Sequence, residues 1–416
     1  MLDLKLIRQN PEQAREALAR RGHAADVDKL LELDARRREL LPELEQLRAS
    51  KNQASKRIGE LQRSGGDASA AIAEVRESSA REKELDTELR GVEERLESAL
   101  AALPNLPDPS APAEDEVLRE VGEAGKTGRD HLELLGDLVD LERGARVSGS
   151  RFAYIKGPLV MLELALVRWV LELLDGKGFT PVVPPVLVRE EALFGSGFLP
   201  DTEQQIYRVP EDDLYLVGTS EVPLAAMHAG ELLDESALPL RYAGFSPCFR
   251  REAGAAGKDT RGIFRVHQFD KVEMFTFVVP EEAVEEHERL LAIEEEILQA
   301  LEIPYRVVAI AVGDLGASAA KKYDLEAWLP GQERYRELTS CSNTTDYQAR
   351  RLEARYRPNG GKGPRHLHTL NGTAVAVGRT IIALVENGQQ EDGRIRIPEV
   401  LHSFGAPEVI ARRDAD

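Results

Sequence analysis

Between residues 30 and 61, apolar side chains recur at alternating intervals of three and four. Leu30, Leu33, Leu40, Leu44, Leu47, Ala54, Ile58 and Leu61 keep the rhythm, and only Arg37 and Lys51 interrupt it. That spacing predicts a helix with one apolar seam. After Ser64-Gly65-Gly66-Asp67, a second seam runs through Leu85, Leu89, Val92, Leu96, Ala99 and Leu103. The glycine pair predicts a turn, and Pro104, Pro107, Pro109 and Pro112 end the second helix. Two seams joined by a short turn predict an antiparallel coiled-coil arm over about 26–103. At ~1.5 Å per residue the arm would be about 50 Å long.

Past 104–112 the pattern changes. Thr180–Val188 is extended and broken by prolines, Phe264–Val279 alternates strongly, and Val307–Val312 and Thr373–Val377 have strand composition, whereas Glu281–Leu301 and Thr380–Glu386 have helical spacing. Strands clustered between few helices predict an α+β domain with a mostly antiparallel sheet flanked by helices. The predicted division is an arm-bearing domain at 1–110 and a second domain at 111–416.

The 416 residues carry 54 Lys+Arg against 73 Asp+Glu, a net charge of −19. A total of that sign argues against nucleic acid, whose binding rests on basic side chains. Position changes the picture. From residue 48 to 63 the chain holds Arg48, Lys51, Lys56, Arg57 and Arg63 against Glu60 alone, a local net of +4. A basic tip on an acidic arm is what a local phosphate contact needs, although such runs also occur as solvated faces. Two cysteines, Cys248 and Cys341, lack the spacing of a structural zinc site. No basic-then-apolar leader opens the chain. The most apolar run, Pro158–Leu174, contains Glu163, Arg168 and Glu172, so it predicts an amphipathic helix and no membrane span. A reducing, cytoplasmic setting follows as the expectation.

The richest chemistry lies between Phe249 and Glu273. Phe249-Arg250-Arg251-Glu252 reads as the end of one strand, glycines 254, 257 and 262 as a loop, and Val266–Glu273 as the returning strand. With a side-chain period of two, Arg250 and Glu252 would share a face, as would His267, Phe269, Lys271 and Glu273. A plain strand-end salt bridge of Glu273 with Lys271 or Arg265 is the competing reading of that carboxylate.

Phe249-Arg250-x-Glu252, a glycine-rich loop and His267-Gln268-Phe269-x-Lys271-x-Glu273 resemble the second signature motif of class II aminoacyl-tRNA synthetases, in its seryl form. Gly178-Phe179-Thr180-Pro181-Val182-Val183-Pro184-Pro185 is similar to the first motif, and Asn371–Arg379 to the third. Thr219-Ser220-Glu221, Glu337-Leu338-Thr339-Ser340 and Ile397-Pro398-Glu399-Val400-Leu401 fit the seryl family too, in its bacterial type, and in family order. The resemblance implies activation of L-serine by ATP and its transfer to the 3′-terminal ribose of tRNA(Ser), and of tRNA(Sec) as well. It implies an ATP site of Arg250, Arg251, Glu252, Val266, Phe269, Glu337, Leu338, Thr339, Ser340 and Arg379, with Arg250, Glu252 and Arg379 closest to the chemistry. It implies a serine site of Thr219, Ser220, Glu221, Arg250, Glu273, Asn371 and Thr373. Glu337 and Ser340 would hold Mg²⁺, with no zinc, the first motif would form a homodimer interface, and Arg48, Lys51, Lys56, Arg57 and Arg63 would meet tRNA. Thr339 departs from the family's usual serine. Two alternatives remain open at this point: a ligase of the same class that charges a carrier protein, and an inactive coiled-coil interaction protein.

Overall fold

The apolar seams fold as the spacing predicts. The computed structural model describes residues 1–200, 205–253, 261–361 and 363–411. Glycines 254 and 257 of the expected loop lie outside the described residues. By internal contacts the chain forms two units, residues 2–104 and residues 105–416 together with Met1.

In the first unit, α1 (Leu4–Gln9) and α2 (Pro11–Ala19) precede the two arm helices, α3 (Ala24–Arg63) and α4 (Ser69–Ala102). Leu40, Leu44, Leu85, Leu89 and Val92 form a buried cluster between the arm helices. Ion pairs cross the seam: Arg36 Nε to Glu88 at 2.9 Å, Arg37 to Glu93 at 3.0 Å, Arg48 to Glu82 at 3.0 Å and to Asp86 at 3.1 Å. From Arg36 and Arg37 to Arg48 the partners drop from Glu88 and Glu93 to Glu82 and Asp86, which is the antiparallel register. The two seam interruptions are thereby explained, since Arg37 reaches Glu93 and Lys51 pairs with Glu82. Helix α3 runs through Pro42, which lacks a helix donor, without ending there.

In the second unit an eight-stranded sheet carries the site. Its strands are β1 (Glu116–Val121), β2 (Thr180–Val182), β3 (Leu240–Phe249), β4 (Gln268–Val278), β5 (Tyr305–Ala309), β6 (Lys321–Leu329), β7 (Arg334–Asn343) and β8 (His368–Ala376). The spatial order is β1-β5-β6-β7-β8-β4-β3-β2, antiparallel except where β2 runs parallel to β3. Fold class therefore agrees with the expectation of a mostly antiparallel α+β domain.

Five helices complete the frame needed here: α5 (His131–Leu135), α6 (Pro158–Gly176), α7 (Glu221–Ala226), α8 (Ala283–Ala300) and α9 (Val377–Asn387). Pro158 starts α6 at its first position, where a missing N–H costs nothing. Leu162, Leu166 and Val170 of α6, Leu290 and Ile297 of α8, and Ile381 and Leu384 of α9 share one core cluster with Val272, Met274, Leu325 and Cys341 of the sheet. The proline-rich stretch after the arm is packed and not a free linker. The Asn105 side chain donates to Ser318 O at 2.9 Å and to Thr344 O at 2.8 Å, and the amide of Asp108 donates to Ala320 O. Among the described residues no helix is long and apolar enough to cross a membrane.

Several strand boundaries differ from the expectation: β4 starts at Gln268, leaving Val266 and His267 before it, and β8 ends at Ala376, with Val377 already opening α9. β3 ends at Phe249, so Arg250 and Glu252 lie beyond it, and Glu252 takes a left-handed φ of 51°. The period-two argument stops one residue short of them. Their common direction comes from the turn and from a clasp between Arg250 and His267, one contact from the backbone and one from the imidazole: Arg250 N donates to His267 O at 3.0 Å, and His267 Nδ1 lies 2.8 Å from Arg250 O.

Candidate active site

A cavity of about 510 Å³ opens on the sheet face turned away from α8. β4 and β8 pair in antiparallel register, with a bulge between Val272 and Glu273 that sets Glu273 opposite Thr373. Such a bulge re-aims a side chain without ending the ladder.

One end of the cavity is a buried acidic pocket. Lys271, from β4, forms an ion pair with Glu273 and donates to Thr219 Oγ1 at 2.8 Å. Thr373 Oγ1 lies 3.4 Å from Glu273 Oε2. The Glu273–Lys271 contact is the salt bridge anticipated as the competing reading, but it sits inside the cavity and not at an exposed strand end. Glu221, at the start of α7, accepts from Gln348 Nε2 at 2.8 Å and from Asn371 Nδ2 at 3.0 Å. Burial, with the Glu273 charge added, pushes the Glu221 carboxyl up to about 7, while Lys271 and the Gln348 donor oppose the shift. A cation entering this pocket meets two carboxylates and one ammonium.

The other end is lined by arginines. Arg250 Nε donates to Gly218 O at 3.1 Å, and its guanidinium lies 5.2 Å from the centre of the Phe269 ring. Arg265 forms a 2.5 Å bond to Glu252. Arg379, from α9, lies 4.6 Å over the Phe264 ring and donates to Glu337 O at 3.0 Å and toward Glu337 Oε2 at 3.4 Å. Burial works against the Glu337 charge, yet Arg379, Lys322 and Arg250 together hold this carboxyl below its ordinary range. Ser340 stands opposite Asp324 of β6, whose carboxyl burial raises to about 7 despite Lys322 Nζ at 2.8 Å.

The cavity brings together Thr219, Glu221, Arg250, Glu252, Val266, Phe269 and Glu273 with Glu337, Leu338, Thr339, Ser340, Asn371, Thr373 and Arg379. Two expected residues do not line it. Ser220 is fully buried, and its hydroxyl donates to Gly244 O at 3.1 Å. Arg251 is exposed, and its amide donates to Gln205 O. Thr339 borders the cavity, but its hydroxyl donates 2.8 Å to Glu294 Oε2 on α8, beneath the sheet. The Glu294 carboxyl, fully buried, is pushed well up by that burial.

Sequence reasoning missed Phe264, Lys322, Asp324 and Gln348 as site residues. Gln348 lies 127 positions from the carboxylate that it serves, and no local pattern links the two. Asp324 was open to discovery, because it alternates with Lys322 and Glu326 on one strand face. His366 and His368 sit on separate strands, and among the described residues no three His, Cys, Asp or Glu side chains form a metal group. Both cysteines are buried free thiols.

On the arm, Arg48 and Lys51 are engaged with Glu82 and Asp86, and Arg63 Nε donates to Gly59 O. Lys56 and Arg57 are exposed. The facing leg, residues 64–82, adds Arg76 and Arg81 against Asp67, Glu74, Glu77 and Glu82, a net of −2, so the outer arm from 48 to 82 carries +2 and not +4.

Comparison with known proteins gives the chain's family. Residues 1–107 match the family model described as the seryl-tRNA synthetase N-terminal domain, and residues 205–388 match the tRNA synthetase class II core domain (G, H, P, S and T). The serine–tRNA ligase of Rubrobacter xylanophilus is 50% identical over 99% of this chain and 100% of its own. The crystal structure of seryl-tRNA synthetase from Pyrococcus horikoshii, complexed with ATP, superposes with a TM-score of 0.93 at 45% identity, covering all of both chains. The cytoplasmic serine–tRNA ligase of Naegleria fowleri, in complex with AMP, gives 0.88 at 33% identity, covering 100% of this chain and 99% of that one.

Proposed function

The chain belongs to the seryl-tRNA synthetase family, and from that premise we propose that it is a serine–tRNA ligase. It joins L-serine to AMP at the expense of ATP, releasing pyrophosphate, and then passes the seryl group to the 3′-terminal ribose of tRNA(Ser), and of tRNA(Sec) as well, releasing AMP. The observation that carries this reading is the two-ended cavity, acidic and hydroxyl-lined at one end and arginine-lined at the other.

In the acidic end, Thr219 and Glu221 hold the α-ammonium, with Asn371 keeping Glu221 in place. Glu273 and Thr373 take the side-chain hydroxyl. Alanine and glycine would leave these buried polar groups unpaired, a penalty that reaches about 10⁴-fold in well-built sites. In the arginine end, Arg250 bridges the serine carboxylate and the α-phosphate through its planar fork. Adenine lies between Phe269 and Arg379, with Glu252 and the Val266 backbone at its polar edge. Arg250 now rests over Phe269, so adenine binding requires that guanidinium to swing toward the phosphates. The serine carboxylate is itself the nucleophile, so positioning and charge neutralisation are what the protein contributes.

Glu337 and Ser340 present oxygen donors on one strand beside the phosphate end, and the Glu337 carboxyl is held ionised, which suits a hard divalent cation. These two residues would hold Mg²⁺, which when bound neutralises phosphate charge. The enzyme is read as cytoplasmic and homodimeric. Met161 and Leu164 of α6 and Val183 beside β2 are 50%, 57% and 79% exposed, an apolar face suited to a second copy. The arm bears tRNA through Arg48, Lys51, Lys56, Arg57 and Arg63.

The direct test is ATP–pyrophosphate exchange with each amino acid in turn. Exchange that depends on serine supports the assignment. Exchange with alanine or glycine and none with serine refutes it.

A further inference from the structure

We propose that His131 and Glu386, neither of which lines the cavity, are the positioning pair that seats its nucleotide end. This rests on the functional reading above and concerns how the ATP side is held.

Glu386 of α9 is completely buried, and both its oxygens are engaged. Oε1 lies 3.1 Å from the amide and 3.1 Å from the Nδ1 of His131, while Oε2 accepts from Gly331 N at 2.8 Å. A buried carboxylate with three N–H partners fixes whatever those partners belong to. With Nδ1–H spent on Glu386, the neutral ring keeps Nε2 as an acceptor, and that atom receives the amide of Ile263 at 3.4 Å.

Ile263 itself lines the cavity and stands between Gly262 and Phe264. On its loop side, Gly262 has φ +78°, and a Cβ there would stand 2.2 Å from His131 Nε2, so the ring fills the space a side chain would need. Arg261 reaches Asp130 at 3.0 Å and Glu133 at 3.7 Å, on either side of His131. Three consecutive residues, 261 to 263, are therefore clasped by the start of α5. On its cavity side comes Phe264, whose ring lies under Arg379 and whose carbonyl faces Arg379 Nε at 3.5 Å. The geometry runs unbroken from Glu386 through His131 and Ile263 to Phe264 and Arg379. Because the serine pocket hangs on β4, β8 and α7, the pair acts on ATP and leaves serine alone.

The test uses the full-length protein and two variants. His131→Asn keeps a donor for Glu386 but removes the acceptor for Ile263. Gly262→Ala keeps both groups and displaces the ring by steric contact. ATP affinity, measured by calorimetric titration without amino acid, should fall about 3- to 10-fold in each, the size of one lost hydrogen bond. The KM for serine should stay within about twofold. In the His131→Asn background Gly262→Ala should cost less than it does alone, because the smaller side chain makes room for the methyl. A purely packing role would lower thermal stability and weaken both substrates together, and that result overturns the proposal, as does unchanged ATP affinity in both variants. If one variant fails to fold, the other still gives the ratio. Titration with ATP alone separates this inference from the functional reading, whose own failure would appear as absent serine-dependent exchange in the parent protein.

Discussion

Replacing Glu273 by glutamine keeps its shape and one acceptor oxygen but removes the charge that Lys271 now neutralises. In the serine complex the side chain would lose a charge-assisted hydrogen bond to the substrate hydroxyl, worth about 1.5–3 kcal/mol. At 1.4 kcal/mol per tenfold change, the KM for serine should rise about 10- to 150-fold. The KM for ATP should move by less than about threefold, since Phe269, Arg379 and Glu337 lie at the other end of the cavity. Lys271 complicates the reading: it is 6% exposed, and without Glu273 it keeps Thr219 Oγ1 as its bonded partner. Breaking a buried pair costs about 3–5 kcal/mol, so Glu273→Gln should also melt at a lower temperature. The Lys271→Met Glu273→Gln double variant removes the stranded ammonium and should recover much of that stability while leaving serine binding impaired. Pyrophosphate exchange with serine and ATP titrated separately, paired with thermal melts, supplies each of these numbers. Equal rises in both KM values would refute the assigned role of Glu273. So would a double variant that regains serine affinity along with stability.

Three further outcomes follow from other parts of the molecule. Glu221 titrates near 7 because burial disfavours its charge, and the substrate ammonium needs the ionised form; lowering the pH from 8 to 6 should therefore weaken serine binding about tenfold, and Glu221→Gln should flatten that profile. A steeper binding curve at low pH than at high pH in the parent would contradict the sign. Excising residues 40–90 and joining the ends by a short turn should leave serine-dependent exchange within about twofold while charging of tRNA collapses; charging that survives would make the arm's basic residues a solvated face. Leu44→Ala removes a side chain that is 2% exposed at the heart of the arm seam and should destabilise the hairpin by about 2–5 kcal/mol, read as lost helical signal on heating with exchange activity unchanged.

How much of this was legible in the sequence depended on whether the controlling interaction is local. The arm was legible because one 3/4 rhythm sets both secondary structure and packing. The strands bearing Phe269, Lys271, Glu273, Asn371 and Thr373 were legible for the same reason with a period of two. Arg250 and Glu252 were found as residues but misplaced as geometry, because a left-handed turn at Glu252 follows the strand end, and alternation carries no information past a turn. The +4 counted on one leg shrank once the facing leg was seen, since Glu82 and Asp86 stand beside Arg48 only in the folded hairpin. Thr339 illustrates the same limit: the chain shows a hydroxyl, and only the packing of α8 shows that it donates to Glu294. His131 and Glu386, 255 positions apart, left no mark in any local pattern.

The arm's side chains are not distributed evenly along its length. Its leucine cluster ends at Leu47 and Leu85, while the outer half is lined by Ala54 and the half-buried Ile58 and Leu61. Per turn, the inner half removes far more apolar surface from water, and stability follows buried surface. Such a rod opens from its free end, with its inner turns protected longest against amide hydrogen exchange. Mechanically it resembles a fishing rod: rigid at the grip, compliant at the tip.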